Sequence, residues 1–277
     1  MINFFFVIYY QLFILDYPIV RYGKKYKYIL KMIPKIIYQT WKSKKRNKTV
    51  DVLRESWKVL NNEFMYEYYD DNDILIFIKN NFDERTLKCY NRIKNGSLKA
   101  DFFRYCILYK RGGLYIDVDI ECTQPLRDVF NFEELHVLTA TDYCSKNDND
   151  RIYQGFLGGE KGNAVFIKAV EHICDCMDEN KFKLDIFNLS GPTMFSTILK
   201  DCINTDVNEK ENMCLFLKEL TAQDKEGRIY KIITHDISNE VLTNIDVTFA
   251  ISQRKFDRKG NLHYLKNIKK YPRGLYI

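Results

Sequence analysis

Two hydrophobic periods alternate along this chain. Ile33–Tyr38 (IPKIIY) is a short apolar run that ends in Gln-Thr-Trp and reads as a buried strand. Val52, Leu53, Trp57 and Leu60 then recur at helical spacing within Val50–Phe64. FMYEYYD reads as a second strand. It runs into a helix over Asp71–Asn81 whose first turn is acidic, as the helix dipole favours. Amphipathic helices are expected over Arg85–Lys94 and Ser97–Lys110, the latter with Ser97 as N-cap and with Gly112 and Gly113 ending it. LYIDVDI and HVLTATD read as strands, NAVFIKAVEHICDCM and GPTMFSTILKDCI as helices, and RIYKIIT and VTFAIS as late strands. Strands alternate with helices and no internal repeat is present. The expected fold class is therefore α/β, with a Rossmann-like, mostly parallel sheet flanked by helices.

The two ends depart from that alternation. Phe4–Leu15 is strongly apolar but short of the ~20 residues a spanning helix needs. No basic residue precedes it and no small-residue cleavage site follows, so it does not read as a secretory leader. The organisation expected is an N-terminal extension or weak membrane anchor over 1–31, a main domain over 32–250 and a basic tail over 251–277. Met32 is an alternative start.

Composition adds one asymmetry. The 277 residues are 46% hydrophobic and 15% aromatic, enough for one large core. The net charge of +6 is local: Tyr17–Val50 holds eleven Lys or Arg and no Asp or Glu. Such a run suits an anionic membrane surface, and no nucleic-acid motif accompanies it, so nucleic acid is not an expected partner. Of eight cysteines only Cys174 and Cys176 are close, and C-x-C on a helix is not a zinc spacing. Reduced core thiols, and a cytoplasmic or membrane-associated location (Golgi or ER type in a eukaryote), are the corresponding expectation.

The candidate chemistry lies in RGGLYIDVDIECTQPL. Read as one strand, it places Asp117 and Asp119 on the same face and turns Val118 into the core. At the C-terminal end of a strand in an open α/β sheet, that face borders the usual ligand crevice. Two adjacent carboxylates repel unless something positive lies between them. Mn²⁺ or Mg²⁺ answers that need, because each takes oxygen ligands and keeps positions for phosphate. On the helix before, Asp101, Arg104 and Tyr105 are three and four residues apart and share a face. Taken alone, Asp101 and Arg104 also read as an ion pair on a solvated face.

SLKADFFRYCILYKRGGLYIDVDIECTQPL resembles the DXD region of glycosyltransferase family 32, a group that includes yeast-type initiating α-1,6-mannosyltransferases, mannosyl-inositolphosphoceramide synthase subunits and bacterial and viral surface-glycan enzymes. IPKIIYQTW is similar to that family's opening strand, with Tyr38 in place of the usual His, and SGPTMFS to its later T/S-G-P segment. The spacing also resembles that of the clostridial glucosylating toxins. The resemblance implies a GT-A fold and a UDP- or GDP-sugar donor. It implies that Trp41 stacks on the base, with Gln39 and Thr40 near it and Tyr105 and Tyr115 among the donor contacts. By the same resemblance Asp101 and Arg104 hold the sugar, Arg104 also nears the diphosphate, Asp117 contacts ribose or sugar hydroxyls, and Asp119, with Asp117, ligates the metal. Gly191 and Pro192 shape the sugar pocket. The reaction implied is retaining transfer of a hexose of the mannose, galactose or glucose class to a glycan, glycolipid or protein. In that reading Asp117 and Asp119 are held by the cation and the diphosphate rather than by another side chain.

The tail lacks the Ser-Trp closure usual in the family, and His235 and His263 are the candidates for its missing ligand. Two other readings compete. A D-x-D phosphatase of the haloacid-dehalogenase type needs its pair on the first strand, whereas this pair is mid-chain and followed by Ile120 and Glu121. The other is a non-catalytic glycan- or membrane-binding protein on a decayed transferase scaffold.

Overall fold

The computed structural model describes residues 20–22, 25–27, 32–45, 48–133, 135–141, 151–179, 185–205, 213–223, 229–234 and 241–246. It divides into two units at Lys31 and Met32. The first contributes an antiparallel hairpin, β1 (Val20–Tyr22) and β2 (Lys25–Lys27).

The second unit is layered α/β. Its elements are β3 (Ile36–Thr40), α1 (Lys48–Leu60), β4 (Met65–Tyr69), α2 (Asp71–Asn81), α3 (Glu84–Arg92), α4 (Gly96–Arg111), β5 (Gly113–Ile116) and β6 (Ile120–Cys122). Then come β7 (Leu135–Thr141), β8 (Ile152–Gly159), α5 (Ala164–Asp178), α6 (Ile186–Leu189), α7 (Pro192–Thr205), β9 (Met213–Gln223), β10 (Ile229–Thr234) and β11 (Val241–Asp246). The sheet order is β4-β3-β5-β8-β7-β9-β10-β11-β6. The parallel arrangement holds where β3 pairs with β4 and β5, and where β7 pairs with β9. The pairings of β8 and those along β9-β10-β11-β6 are antiparallel, so the sheet is mixed.

Strand alternation divides the core. Tyr38, Tyr115 and Leu157 face one side, where α2, α3, α4, α5 and α7 cover them with residues such as Ile78, Phe102, Phe166 and Phe195. Ile37, Leu114, Ile116 and Phe156 face the other, where Trp57 of α1 and Phe130 and Phe132 cover them. Both sides of the central strands are thus dry, which explains their near-continuous apolar runs. Cys89, Cys106, Cys122 and Cys174 are buried free thiols, and Cys176 and Cys202 are buried as well.

Two local expectations are corrected. Asn95 caps α4 in place of Ser97: its Oδ1 accepts from the amides of Ser97 (2.9 Å) and Leu98 (3.1 Å). LYIDVDI is not one strand. The chain leaves β5 after Ile116, and the Ile120 amide donates to the Asp117 carbonyl at 3.2 Å, closing a turn. The displaced segment becomes β6. Trp57 Nε1 donates to the Ile120 carbonyl at 2.8 Å, and Ser56 Oγ accepts from the Cys122 amide at 2.9 Å, so α1 holds it against β11. The strands β1, β2, β8, β9 and β11 were not anticipated, whereas VTFAIS lies outside the described residues. Among the described residues no helix is long and apolar enough to cross a membrane; Phe4–Leu15 lies outside them.

Candidate active site

The bend after β5 sets the site. Asp117 and Asp119 do not share a strand face; they sit on a turn with Val118 between them. Val118 is buried against Val50 and Leu53, with Trp41 and Tyr68 packed on the same small cluster. The turn therefore carries a hydrophobic anchor at its centre and a partly exposed carboxylate on each side of it. The Asp117 amide donates to the Gly155 carbonyl at 2.8 Å, the last backbone bond of that edge of β5 to β8.

α4 delivers the balancing charge. Asp101 and Arg104 are not a solvated pair: Asp101 is 8% exposed and Arg104 3%. Arg104 Nη2 stands 3.1 Å from Asp101 Oδ1 and 3.2 Å from Asp117 Oδ1. Its other donors reach the carbonyls of Ala100 (Nε, 3.3 Å) and Gln154 (Nη1), and its guanidinium lies 4.5 Å from the centre of the Tyr115 ring. Asp117 is thus held by a side chain, contrary to the expectation that only a cation and diphosphate would hold it. A guanidinium fork suits this job because it can donate to several acceptors at fixed angles.

Both oxygens of Asp101 are engaged, since Oδ2 accepts from the Ser190 hydroxyl at 2.7 Å. Ser190 lies directly before Gly191 and Pro192, the latter the first residue of α7. The Tyr105 hydroxyl reaches the Ser190 carbonyl at 2.6 Å and also the side-chain oxygen of Gln154. Ser190 and Gln154 are the residues that sequence reasoning missed. Ser190 heads the quoted S-G-P segment, and Gln154 is the polar position of an otherwise apolar β8.

Burial pushes Asp101 up to about 6, against the pull of Arg104 and Ser190, with Asp117 adding to the rise. Burial works against the charged Arg104 as well, but Asp117, Tyr115 and Asp101 together leave it above its ordinary value. At neutral pH Asp101, Asp117, Asp119 and Arg104 sum to −2, the charge a divalent cation brings. Two hard carboxylates on one turn also match the number of protein ligands Mg²⁺ takes when phosphates fill other positions. Among the described residues no three His, Cys, Asp or Glu side chains cluster to bind a metal without such help. His235 and His263 lie outside the described residues.

The end of β3 completes the arrangement. Thr40 Oγ1 and the Tyr115 hydroxyl are 2.9 Å apart. Trp41 is partly exposed beside Val118, with its amide donating to Tyr69 O at 3.1 Å. Gln39 differs from its expected place: it is 0% exposed, and its Nε2 donates to the Asp117 carbonyl at 3.2 Å. It faces the protein, not a ligand.

Residues 26–136 match the family described as "Glycosyltransferase sugar-binding region containing DXD motif". The likeness to that family is carried by this stretch of the chain. The chain is 33% identical over 137 residues to the uncharacterized glycosyltransferase L373 of Acanthamoeba polyphaga mimivirus, covering 49% of this chain and 53% of that one. It is 27% identical over 167 residues to inositol phosphoceramide mannosyltransferase 3 of Schizosaccharomyces pombe, covering 60% and 44%. With the initiation-specific alpha-1,6-mannosyltransferase of Candida albicans it shares 31% over 111 residues, covering 38% and 29%. The chain therefore spans about half the length of the first of these relatives and less of the others. Among solved structures, the PaToxG glycosyltransferase superposes with a TM-score of 0.50 at 15% identity, over 63% of this chain and 71% of that one, a likeness of GT-A fold.

Proposed function

We propose that this chain transfers a hexosyl group from a nucleotide-sugar donor, with Mn²⁺ or Mg²⁺, to a glycan, glycolipid or protein acceptor, with retention at the anomeric carbon. The observation that carries the reading is the Asp101–Arg104–Asp117 cluster held against the turn that presents Asp119. In this reading Asp119 and the Asp117 oxygen not bonded to Arg104 hold the cation. When bound, that cation offsets the charge developing on the departing diphosphate. Arg104 keeps Asp117 aimed, and Asp101 keeps Arg104 in place. Trp41 offers a face for the base beside the turn, and Gly191 and Pro192 border the sugar. The sugar passes through an oxocarbenium-like state, and the acceptor proton leaves to the departing phosphate on the same face. The mannosyltransferases among the relatives support a hexose donor, and the basic run Tyr17–Val50 supports contact with an anionic membrane surface.

A melting panel of UDP- and GDP-sugars with and without Mn²⁺ tests this. A donor that binds the native state raises the melting temperature by mass action. One donor should do so only with Mn²⁺, and Asp119→Ala should melt like the wild type alone yet lose both the rise and turnover. A wild-type chain that binds glycan or lipid but neither binds nor turns over any donor overturns the transferase reading in favour of a binding module. Unchanged turnover in Asp119→Ala overturns the metal role.

A further inference from the structure

Three hydrogen bonds run in one direction from α1 to the turn that carries the two carboxylates. Arg54 Nε donates to the Tyr66 hydroxyl at 3.1 Å, Tyr66 donates to Gln39 Oε1 at 2.6 Å, and Gln39 Nε2 donates to the Asp117 carbonyl at 3.2 Å. The direction is forced by the first member. A guanidinium has donors and no acceptor, so the Tyr66 oxygen accepts from Arg54 and passes its own proton onward. Gln39 must then turn its carbonyl oxygen to Tyr66, which leaves its NH₂ facing Asp117. A rotated amide would set oxygen against the Asp117 carbonyl inside a site that is closed to water, since Gln39 is 0% exposed.

Arg54 is itself fixed. Its guanidinium stacks 3.6 Å from the centre of the Tyr68 ring, and Nη1 bonds to Asp51 at 3.4 Å. At the far end, the same Asp117 carbonyl accepts the Ile120 amide that closes the turn, also at 3.2 Å. One carbonyl thus joins the turn's own bond to a relay that begins on a different helix.

We propose that Gln39, Tyr66 and Arg54 are positioning residues: they hold the main chain of the Asp117–Ile120 turn, and through it the aim of Asp117 and Asp119, while Arg104 holds the Asp117 side chain. The consequence for catalysis rests on the function proposed above; the consequence for the turn does not. No member of the relay touches substrate in this assignment.

The test uses the full chain with Tyr66→Phe, which keeps the ring and removes the hydroxyl, and Gln39→Glu, which still accepts from Tyr66 but has no N–H for Asp117. Amide hydrogen exchange at Ile120 should quicken about tenfold or more in both variants, with the α5 amides unchanged within twofold. Binding of Mn²⁺ with UDP or GDP, followed by the Mn²⁺ resonance signal, should weaken about fivefold, and kcat should fall about tenfold with the acceptor KM unchanged. Unchanged exchange at Ile120, or equal acceleration throughout the chain, overturns the proposal. If the wild type neither binds nor turns over a donor, the transferase reading fails, and exchange at Ile120 still decides this one.

Discussion

The Ser190 hydroxyl donates to Asp101 Oδ2 at 2.7 Å, tying the start of α7 to the middle of α4. This bond is the link between the S-G-P segment and the charged cluster, and it is fully buried. Ser190→Ala removes the donor and leaves a buried carboxylate oxygen short of one partner. The expected cost is about 1–3 kcal/mol of stability, more than a surface serine would show. Because the bond also favours the charged form of Asp101, its loss should move the acid limb of the activity profile to higher pH. Urea unfolding and a pH–rate profile of the variant check the two halves separately.

Asp101 makes stability and activity respond to acid in opposite senses. Its carboxyl is raised from 3.8 to about 6 by burial, so the folded chain binds this proton more tightly than the unfolded chain does. Its contribution to stability is fully present below pH 3.8 and is lost as pH rises through about 6. Protonation meanwhile removes the charge that holds Arg104, so activity should fall as pH drops through the same range. In Asp101→Asn the residue no longer titrates. The difference in melting temperature between wild type and variant should therefore change between pH 4 and pH 6.5 and level off outside that window. A difference that stays constant across it contradicts the assignment.

Much of this architecture can be read from the chain, and the exceptions share a cause. The helix Asp71–Asn81 agrees to the residue because its signals are local: Asp70 caps it, and Asp73 completes a capping box. Asp101, Arg104 and Asp117 could be singled out because helical spacing and D-x-D are local too. The bend at Asp117 was not. Alternation continues through LYIDVDI, and nothing in a period of two records that Ile120 pairs with Ile245 and not with a neighbour of β5. Strand β8, IYQGFLGG, was missed because three glycines interrupt the alternation that marks a strand. Yet its Gln154 carbonyl takes a bond from Arg104, and its side chain meets Tyr105. Gln39 was read as a ligand contact from the family resemblance alone, which does not record how its side chain is packed. Tyr66 from β4 and the folded-back Asp117 cover it here.

Arg104 should tolerate no substitution, for a reason beyond its charge. Removing it leaves the buried Asp101 and the partly exposed Asp117 facing one another, and takes the guanidinium donor from the Gln154 carbonyl. Arg104→Ala should cost about 3–5 kcal/mol, the range for breaking a buried pair by taking one partner. Arg104→Lys keeps the charge but has a compact ammonium in place of the planar fork, so it cannot reach this set of acceptors at once. It should fold, lose stability by less than the alanine variant, and still lose activity by about a hundredfold or more. Denaturant unfolding and donor turnover measured on both variants decide this; a lysine variant with near wild-type turnover shows that charge alone suffices.

Gly113 and Tyr38 form a pair whose two substitutions should act in opposite directions. Gly113 begins β5 with φ +105°, which side-chain-bearing residues rarely adopt, and an added Cβ would stand 2.7 Å from the Ile36 carbonyl and 2.9 Å from Tyr38 Cε2. The tyrosine ring thus occupies the space that a side chain at 113 would need. It is 0% exposed, lies 6.3 Å from the Tyr69 ring and has Arg111 5.5 Å from its centre. Gly113→Ala should therefore destabilise by about 2 kcal/mol or more, through backbone strain and a clash with main chain that cannot yield. The Tyr38 hydroxyl, by contrast, is buried with no hydrogen-bond partner, and burial drives its pKa upward. Tyr38→Phe removes that unsatisfied group and keeps the ring, so it should leave stability unchanged or raise it by up to about 1 kcal/mol. Thermal and urea unfolding of the two variants give the comparison. A Tyr38→Phe chain that is markedly less stable than wild type would show that the hydroxyl has a bonding partner after all.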